Sequence, residues 1–347
     1  MSKVLIISND KFFVSKKKYF FNSNKNTFTI LNSFKNFKKV YLFCRSTKKK
    51  QKFGEKIKSN IEFVKFKHLL NLLNDIKNIK ILIISLTPFS FFVSLMCILF
   101  GADKKKTFLF LRSDGFLEYK VKFGKVGFFI YGIMFYILKN KTKILSCSKF
   151  LTGVTKSKIL FPSEIHGEWL NNKKNIKKNI NKKKIKLLYI GRFREEKGYL
   201  NLINIFKDLN TNYCLKMVGN DYKYLKKKYY PKNSDIHISG QLTKNKDLIK
   251  CYDECDIFIL PSYAEAYPQV ILESLSRLKP VIVFNDIKFL KKTFSVGVFI
   301  SQRNPKGLKN VIENIASNYS KIQSRIFKQK IFTQENFFIE MNKIFNG

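Results

Sequence analysis

Short apolar runs of strand length alternate with longer segments of mixed polar and apolar residues along the whole chain. Runs with few charges and polar residues at their ends are typical of strands buried on both faces of a parallel sheet. We predict strands at 3–9, 40–44, 81–84, 108–111, 144–147, 187–190, 214–218, 236–239, 257–260 and 281–284. Helical spacing is expected near 28–38, 67–77, 90–100 and 124–139, and in about the last 45 residues. This alternation predicts two Rossmann-like, doubly wound α/β domains with parallel sheets.

A lysine- and asparagine-rich segment, 171–186, separates the two series of strands. It contains eight lysines and no acidic residue, and such a composition cannot bury enough apolar surface to order itself well. We therefore expect an amino-terminal domain at 1–170, a linker at 171–186, a carboxyl-terminal domain at 187–330 and a final helix at 331–347.

Two uncharged segments raise the question of a membrane. Residues 81–101 have spanning length, but Ser85, Thr87, Pro88 and Ser90 divide them, which favours a buried strand followed by a buried helix. Residues 126–138 are too short to span and suit either a core helix or an interfacial helix. The first nine residues are too short for a secretory signal.

The chain is strongly basic, with a formal net charge of +43. Only seven of the 67 basic residues are arginine, the residue that phosphate and base recognition favours, so we expect no specific nucleic-acid partner. Residues 1–170 carry a net +24 and residues 187–347 a net +11. A basic face of this kind attracts anionic lipid headgroups. Lysine codons are rich in A and T, so a soluble protein encoded by an A/T-rich gene would have the same basic surface. Both interpretations stay open.

The cysteines and histidines lack the spacing of metal-binding motifs. The six cysteines include no CxxC pair, and the chain has only three histidines. We therefore expect no metal, reduced thiols and a cytoplasmic protein, either free or peripheral on the inner face of the plasma membrane.

Two glutamates flank a predicted strand-to-helix junction. Glu265 follows the strand at 257–260, Pro268 suits the first helical position, and Glu273 is expected beside the apolar face of the helix. Ligands bind at this carboxyl edge in open α/β sheets. Carboxylates suit hydroxyl groups, and free N–H groups at a helix start suit a phosphate.

A second motif, Gly191-Arg192 followed by Lys197-Gly198, opens the carboxyl half directly after a predicted strand. Two cations beside a glycine-containing loop can hold a diphosphate. The chain contains no Walker motif and no GxGxxG segment, so neither a P-loop enzyme nor a dehydrogenase is supported.

With both motifs at this separation, the chain resembles retaining glycosyltransferases of family 4, a branch of the glycosyl transferases group 1 with the GT-B fold. That family shows G-R-x-x-x-x-K-G and, about 70 residues later, P-S-x-x-E-x(7)-E. Here the matching residues are Gly191, Arg192, Lys197, Gly198, Pro261, Ser262, Glu265 and Glu273, and Gly219 matches a strand end. The resemblance implies two Rossmann-like domains facing an inter-domain crevice.

The resemblance also implies roles. Arg192 and Lys197 would neutralise the diphosphate of a UDP- or GDP-sugar, Glu273 would bind the ribose, and Glu265 would place the donor sugar. The other implied donor-binding positions are Gly191, Gly219 and the backbone N–H groups of Ala266 and Tyr267. The expected activity is metal-independent transfer (EC 2.4) to a glycan or lipid-linked acceptor in cell-surface polysaccharide or lipopolysaccharide assembly, without a cofactor.

The amino half leaves alternatives open. Asp114 follows a predicted strand and is either a catalytic group or a structural partner of Arg112. An inverting GT-B transferase would use Asp10 or Asp114 as a general base. A non-catalytic protein that binds membranes or polyanions through the basic half is a third interpretation.

Overall fold

The computed structural model describes residues 3–14, 20–22, 25–47, 55–56, 61–172, 176, 180–181, 184–209, 212–220 and 235–346. The strands are β1 Lys3–Val14, β2 Phe20–Asn22, β3 Lys39–Thr47, β4 Glu55–Lys56, β5 Ile61–Phe63, β6 Lys80–Ile84, β7 Thr107–Leu111, β8 Lys143–Ser146, β9 Lys158–Ile159, β10 Ile185–Ile190, β11 Tyr213–Val218, β12 Ile236–Ser239, β13 Ile257–Leu260, β14 Val281–Phe284 and β15 Val298–Ser301. The α-helices are α1 Lys25–Ser33, α2 Phe66–Leu73, α3 Pro88–Leu99, α4 Gly115–Lys139, α5 Gly167–Leu170, α6 Tyr199–Lys207, α7 Asn245–Glu254, α8 Gln269–Ser276, α9 Leu290–Phe294, α10 Pro305–Ser317, α11 Tyr319–Lys328 and α12 Gln334–Asn346. Short 3-10 helices lie at Ile76–Asn78, Lys104–Lys106, Glu195–Lys197 and Asn285–Ile287.

The chain divides into two compact units. The first comprises Met1–Glu164 together with Thr333–Gly347, and the second comprises Ile165–Phe332. Half of 171–186 lies outside the described residues, and the domain bounds expected from the sequence stay a prediction.

The first unit is built on seven parallel strands in the order β5-β3-β1-β6-β7-β8-β9. Strand β1 is central, with Val4 paired to Val40 on one side and to Lys80 on the other. It runs to Val14, past the predicted end at residue 9, with a register shift between Ser8 and Lys11. Its far end pairs antiparallel with β2, which in turn pairs with β4.

The second unit contains six parallel strands in the order β12-β11-β10-β13-β14-β15. The direction of winding reverses between β10 and β13, which is the topological switch point of a doubly wound sheet. Strands β13 and β14 are buried along their whole length, as their apolar runs indicate. The predicted α/β class with two parallel-sheet, Rossmann-like domains is confirmed.

The uncharged segment 81–101 forms a strand and a helix, as predicted. Strand β6 ends at Ile84, and α3 begins at Pro88 behind a capping box between Thr87 and Ser90. The expected burial of this helix holds for one face only. Phe91 is 8% exposed, whereas Phe92 is 66% exposed.

The last helix, α12, packs on the first unit. The ring of Phe345 contacts those of Phe34 and Phe108, with centroids 4.9 and 4.6 Å apart, respectively. This contact joins positions more than 200 residues apart in the chain, so the carboxyl terminus helps to close the amino-terminal core.

Candidate active site

Two loops leave the second unit's sheet at its switch point. Gly191 directly follows β10 and Pro261 directly follows β13, and these two strands are neighbours in the sheet. Because parallel strands end at the same edge, the two sequence motifs meet where an open α/β sheet binds ligands.

Lys197 and Glu265 are in direct contact across the two loops. The Lys197 ammonium donates to Oε1 of Glu265 at 2.7 Å, and the hydroxyl of Ser262 donates to the same oxygen at 2.7 Å. The two charged side chains are 20% and 11% exposed. The pair is therefore partly desolvated, and its attraction is stronger than that of a surface ion pair.

Glycine allows the two loops to approach closely at Gly198. This residue has φ +65°, and a Cβ atom there would lie 2.0 Å from the carbonyl oxygen of Pro261. Beside it, the amide of Tyr263 donates to the carbonyl of Glu196 at 3.0 Å. The spacing of the motif thus reflects a backbone contact as well as side-chain chemistry.

Gly219 makes a similar close approach at the end of β11. A Cβ atom at Gly219 would lie 2.1 Å from the carbonyl oxygen of Gly191. The sequence predicts that Gly191 and Gly219 both bind the donor, and the structure brings them together at the same sheet edge.

The side chain of Arg192 is exposed beside this edge. Its backbone carbonyl accepts a hydrogen bond of 2.9 Å from the hydroxyl of Tyr189. Burial raises the pKa of Tyr189, so the phenol remains a donor at neutral pH. The loop is thereby held in place while the guanidinium stays accessible to an anion.

The structure corrects the expected position of Glu273. The side chain was expected beside the apolar face of α8, but Glu273 is only 9% exposed and its helix neighbours Leu272 and Ser274 are also buried. The hydroxyl of Tyr252, on α7, donates to Oε2 of Glu273 at 2.8 Å. Burial, and then the Glu273 carboxylate, raise the pKa of Tyr252 well above its ordinary value. Tyr252 is therefore a permanent hydrogen-bond donor to this carboxylate.

The start of α8 differs by one position from the expectation. Pro268 is the N-cap, with φ −71° and ψ 122°, and the helix begins at Gln269. Ala266 and Tyr267 are buried just before it, and the Tyr267 ring stacks on Phe294 at 4.9 Å. Their predicted contact with a diphosphate stays a prediction.

Arg303 is a site-supporting residue that the sequence interpretation missed. Its guanidinium donates to the carbonyls of Pro261 and Ser262 at 2.9 and 3.3 Å, and to Asp286 at 2.6 and 2.9 Å. It also lies 4.1 Å from the centroid of the Tyr263 ring. Arg303 therefore fastens the loop that carries Glu265. In the sequence, Arg303 stands out only because arginine is rare, with seven in the whole chain.

Asp114 lies in the first unit, as the N-cap of α4. Its Oδ1 accepts from the amide of Leu117 at 3.1 Å, and its Oδ2 accepts from the amide and hydroxyl of Thr152 at 2.9 and 2.7 Å. These are the contacts of a structural cap. Arg112 donates instead to the hydroxyl of Ser85 at 3.2 Å. The predicted catalytic role of Asp114 stays a prediction.

Asp10, the other carboxylate considered for general-base chemistry, is also engaged. Its Oδ2 accepts from the hydroxyls of Ser8, at 2.9 Å, and Thr27. Among the described residues, no group of three or more His, Cys, Asp or Glu side chains is placed to hold a metal ion.

Comparison with known sequences identifies the second half of the chain. The family model described as "Glycosyl transferases group 1" matches residues 171–331. A capsular polysaccharide biosynthesis glycosyltransferase of Staphylococcus aureus, CapH, is 27% identical over 220 residues, which are 58% of this chain and 61% of CapH. The chain therefore matches less than two thirds of that relative's length.

Solved structures extend the likeness to the whole chain. Sucrose-phosphate synthase from Thermosynechococcus elongatus has a TM-score of 0.72 at 16% identity, over 100% of this chain and 98% of that chain. HepE of Anabaena, in complex with UDP, has a TM-score of 0.67 at 12% identity, over 100% of both chains. Likeness at these identities establishes the fold, which is that of the GT-B glycosyltransferases. Residues 171–331 thus match the model of the Glycosyl transferases group 1, and the two motif loops of this stretch meet at one sheet edge.

Proposed function

We propose that the protein is a retaining glycosyltransferase of family 4 that moves a sugar from a UDP- or GDP-sugar to a glycan or lipid-linked acceptor. Cell-surface polysaccharide or lipopolysaccharide assembly is the proposed context, supported by the likeness to CapH. The enzyme would act without a metal or a cofactor, in the cytoplasm. A UDP-sugar is the first donor to test, because the structurally similar HepE was solved with UDP.

The contact between Lys197 and Glu265 carries the proposal. It places a cation and a carboxylate 2.7 Å apart at the switch point, next to the exposed Arg192. Among the residues that the structure describes, hydrogen bonds to Glu265 reach only Oε1. Its other oxygen would accept from a hydroxyl of the donor sugar, while Lys197 and Arg192 would bind the diphosphate.

The proposed chemistry rests on stabilising the leaving group. The bond between the anomeric carbon and the diphosphate oxygen breaks, and the acceptor oxygen bonds to the same carbon from the same face. The acceptor proton passes to the departing phosphate oxygen. The two cations offset the charge that develops on the diphosphate, and the sugar passes through an oxocarbenium-like state.

Glu273 would hold the nucleoside end of the donor. Its carboxylate is fixed by the Tyr252 hydroxyl and lies on α8, the helix that follows the Glu265 loop. A carboxylate held in this way can accept from ribose hydroxyls without paying the cost of ordering its own side chain.

Thermal unfolding with UDP, GDP, ADP and their sugars, each with EDTA present, tests this function. A ligand that binds only the folded state raises Tm by mass action. We expect a rise with UDP or GDP that persists in EDTA, followed by sugar transfer with the donor's α configuration kept in the product. A β-linked product from an α-linked donor would overturn the retaining assignment, and a rise that EDTA abolishes would overturn metal independence.

A further inference from the structure

Between residues 126 and 138, helix α4 is apolar around its whole circumference, but it is packed on one side only. Gly127, Tyr131, Met134, Phe135 and Leu138 are buried against the first unit. The opposite face consists of large apolar side chains that are 42% to 69% exposed: Val126, Phe129, Ile130, Ile133, Tyr136 and Ile137. At about 100° per residue, these six positions lie within an arc of about 120°. The helix therefore presents a continuous apolar stripe to its surroundings.

The stripe is large for a protein surface. Six such side chains, each about half exposed, make a patch on the order of 600 Å². Soluble monomers rarely expose contiguous apolar patches beyond a few hundred Å², and larger ones mark interaction sites. A surface helix that packs on one side normally shows polar residues on its outer face.

Helix α4 is long and apolar enough to cross a membrane by length and composition alone. Its geometry argues against crossing. Gly124 has φ 63° and ψ −151°, a conformation open essentially to glycine only, and it interrupts the helix. The straight part, 125–139, is about 22 Å long at 1.5 Å per residue, against about 30 Å of hydrocarbon core.

The buried face of α4 also ties the helix to its own unit. At one end the Lys139 ammonium donates to the carbonyl of Gly153 at 3.2 Å, and at the other the N-cap Asp114 accepts from the amide and hydroxyl of Thr152. Tyr131, Phe135 and Leu138 are buried between these ends. A helix held along its length in this way can present its free face to a membrane surface only by lying in the plane of that surface.

The charges beside the stripe select the partner. Lys120, Lys122 and Lys125 are exposed around the Gly124 break, and Lys141 is exposed just beyond the other end. The only acidic residue within α4 is Glu118, whose carboxylate lies 3.7 Å from the Lys122 ammonium. A second copy of the chain would bring like charges together, whereas anionic lipid headgroups would neutralise them.

We propose that the exposed face of α4 docks in the interfacial region of a bilayer rich in anionic lipid. Phe129, Ile133 and their neighbours enter the boundary between headgroups and acyl chains, and the flanking lysines contact the headgroups. The first unit is then peripheral to the membrane, with α4 parallel to its plane. This docking uses residues outside the proposed donor site and stands whether or not the transfer activity is confirmed.

Vesicle flotation of the full chain tests the proposal. We expect binding to phosphatidylcholine vesicles containing phosphatidylglycerol, weaker binding to phosphatidylcholine alone, and release by an alkaline carbonate wash. The double variant Phe129→Ser/Ile133→Ser removes two exposed side chains, so it should fold normally and lose at least about tenfold in partitioning. Phe66→Ser/Leu70→Ser is the matched control, because it has the same spacing on α2 and these residues are 57% and 45% exposed.

Three results would overturn docking. The first is that the wild-type chain does not float with anionic vesicles at low salt. The second is that the α4 variant floats as well as the control variant. The third is that the protein stays on the vesicles in carbonate, as a membrane-spanning protein does. Sedimentation of the lipid-free protein tests the alternative, that a second copy of the chain binds the stripe. A dimer that Phe129→Ser/Ile133→Ser converts to a monomer would assign the stripe to a second copy of the chain instead.

Discussion

Arginine and lysine have different uses in this chain. Lysine covers the surface, while arginine is rare, and two of the seven arginines, Arg277 and Arg303, are built into several specific contacts. Arg277 is 1% exposed and binds both carboxylate oxygens of Asp253 at 2.8 and 3.0 Å. It also donates to the carbonyls of Trp169 and Asn171. Arg303 makes a comparable set of contacts beside the candidate site. The planar, multidentate guanidinium explains why these positions differ from the lysine background.

Arg192→Ala tests the cation assigned to the diphosphate. The Arg192 side chain is exposed, so we expect an unchanged Tm and a loss of about tenfold or more in nucleotide affinity, because a charge-assisted hydrogen bond is removed. Isothermal titration with UDP measures the affinity. Arg194→Ala is the matched control, since Arg194 is exposed on the same loop. Equal affinity of the two variants would contradict the assigned role of Arg192.

Arg303→Ala tests how the Glu265 loop is held. The change leaves Asp286 and the carbonyls of Pro261 and Ser262 without their donor. We expect a loss of about 2–4 kcal/mol in the free energy of unfolding, together with weaker nucleotide binding. Urea unfolding measures the first effect. Arg325→Ala, at an exposed position, should change stability by less than about 0.5 kcal/mol. If both variants are equally stable, the contacts of Arg303 do not hold the loop.

The sequence placed some residues of the candidate site at the sheet edge and could not place others. Gly191, Lys197 and Glu265 stand at fixed distances from strand ends, so their spacing places them at the sheet edge. Tyr252 reaches Glu273 from another helix, 21 residues away, and no local pattern encodes such a contact. Burial of Glu273 was missed for the same reason, because a periodicity places a residue on a helix face without showing what covers that face.

At the scale of elements, long apolar runs were predicted well and short strands were not. The run at 257–260 coincides with β13, and the run at 281–284 with β14. Strands β2, β4 and β9 have two or three residues and depend on their partners, so they carry no periodicity to detect. Helix α4 begins at Gly115 and is interrupted at Gly124, so the helix expected at 124–139 coincides with its second part. The first part was missed because charged residues such as Glu118 and Lys120 interrupt its apolar pattern.

Gly198→Ala tests the junction between the two site loops. Gly198 combines φ +65° with a Cβ position 2.0 Å from the Pro261 carbonyl oxygen, so an alanine must displace one of the loops. We expect a loss of about 2 kcal/mol or more in the free energy of unfolding. The matched control is Gly167→Ala, where a Cβ atom would meet nothing within 4 Å. A stable Gly198→Ala variant with normal nucleotide affinity would show that the loops can separate without consequence.

At the scale of the molecule, the two units depend on contacts that no single segment encodes. The first unit is completed by α12 from the end of the chain, through Phe345 against Phe34 and Phe108. The apolar pattern of α12 predicts a helix but not its partner, because the partner is chosen by complementary shape more than 200 residues away. For this reason the sequence predicted two α/β domains but did not predict that the end of the chain returns to the first domain.

The net charge of +43 predicts opposite effects of salt on stability and on membrane binding. Unpaired lysines repel one another in the compact state, and the Debye length falls from about 30 Å at 0.01 M to about 10 Å at 0.1 M salt. We therefore expect Tm to rise by a few degrees over this range of sodium chloride, while binding to anionic vesicles weakens over the same range because the headgroup attraction is screened. Calorimetry and flotation on one preparation measure both, and sucrose at matched osmolality serves as the uncharged control. A Tm that falls with salt would mean that attractive pairs such as Lys197 with Glu265 outweigh the repulsion across the surface.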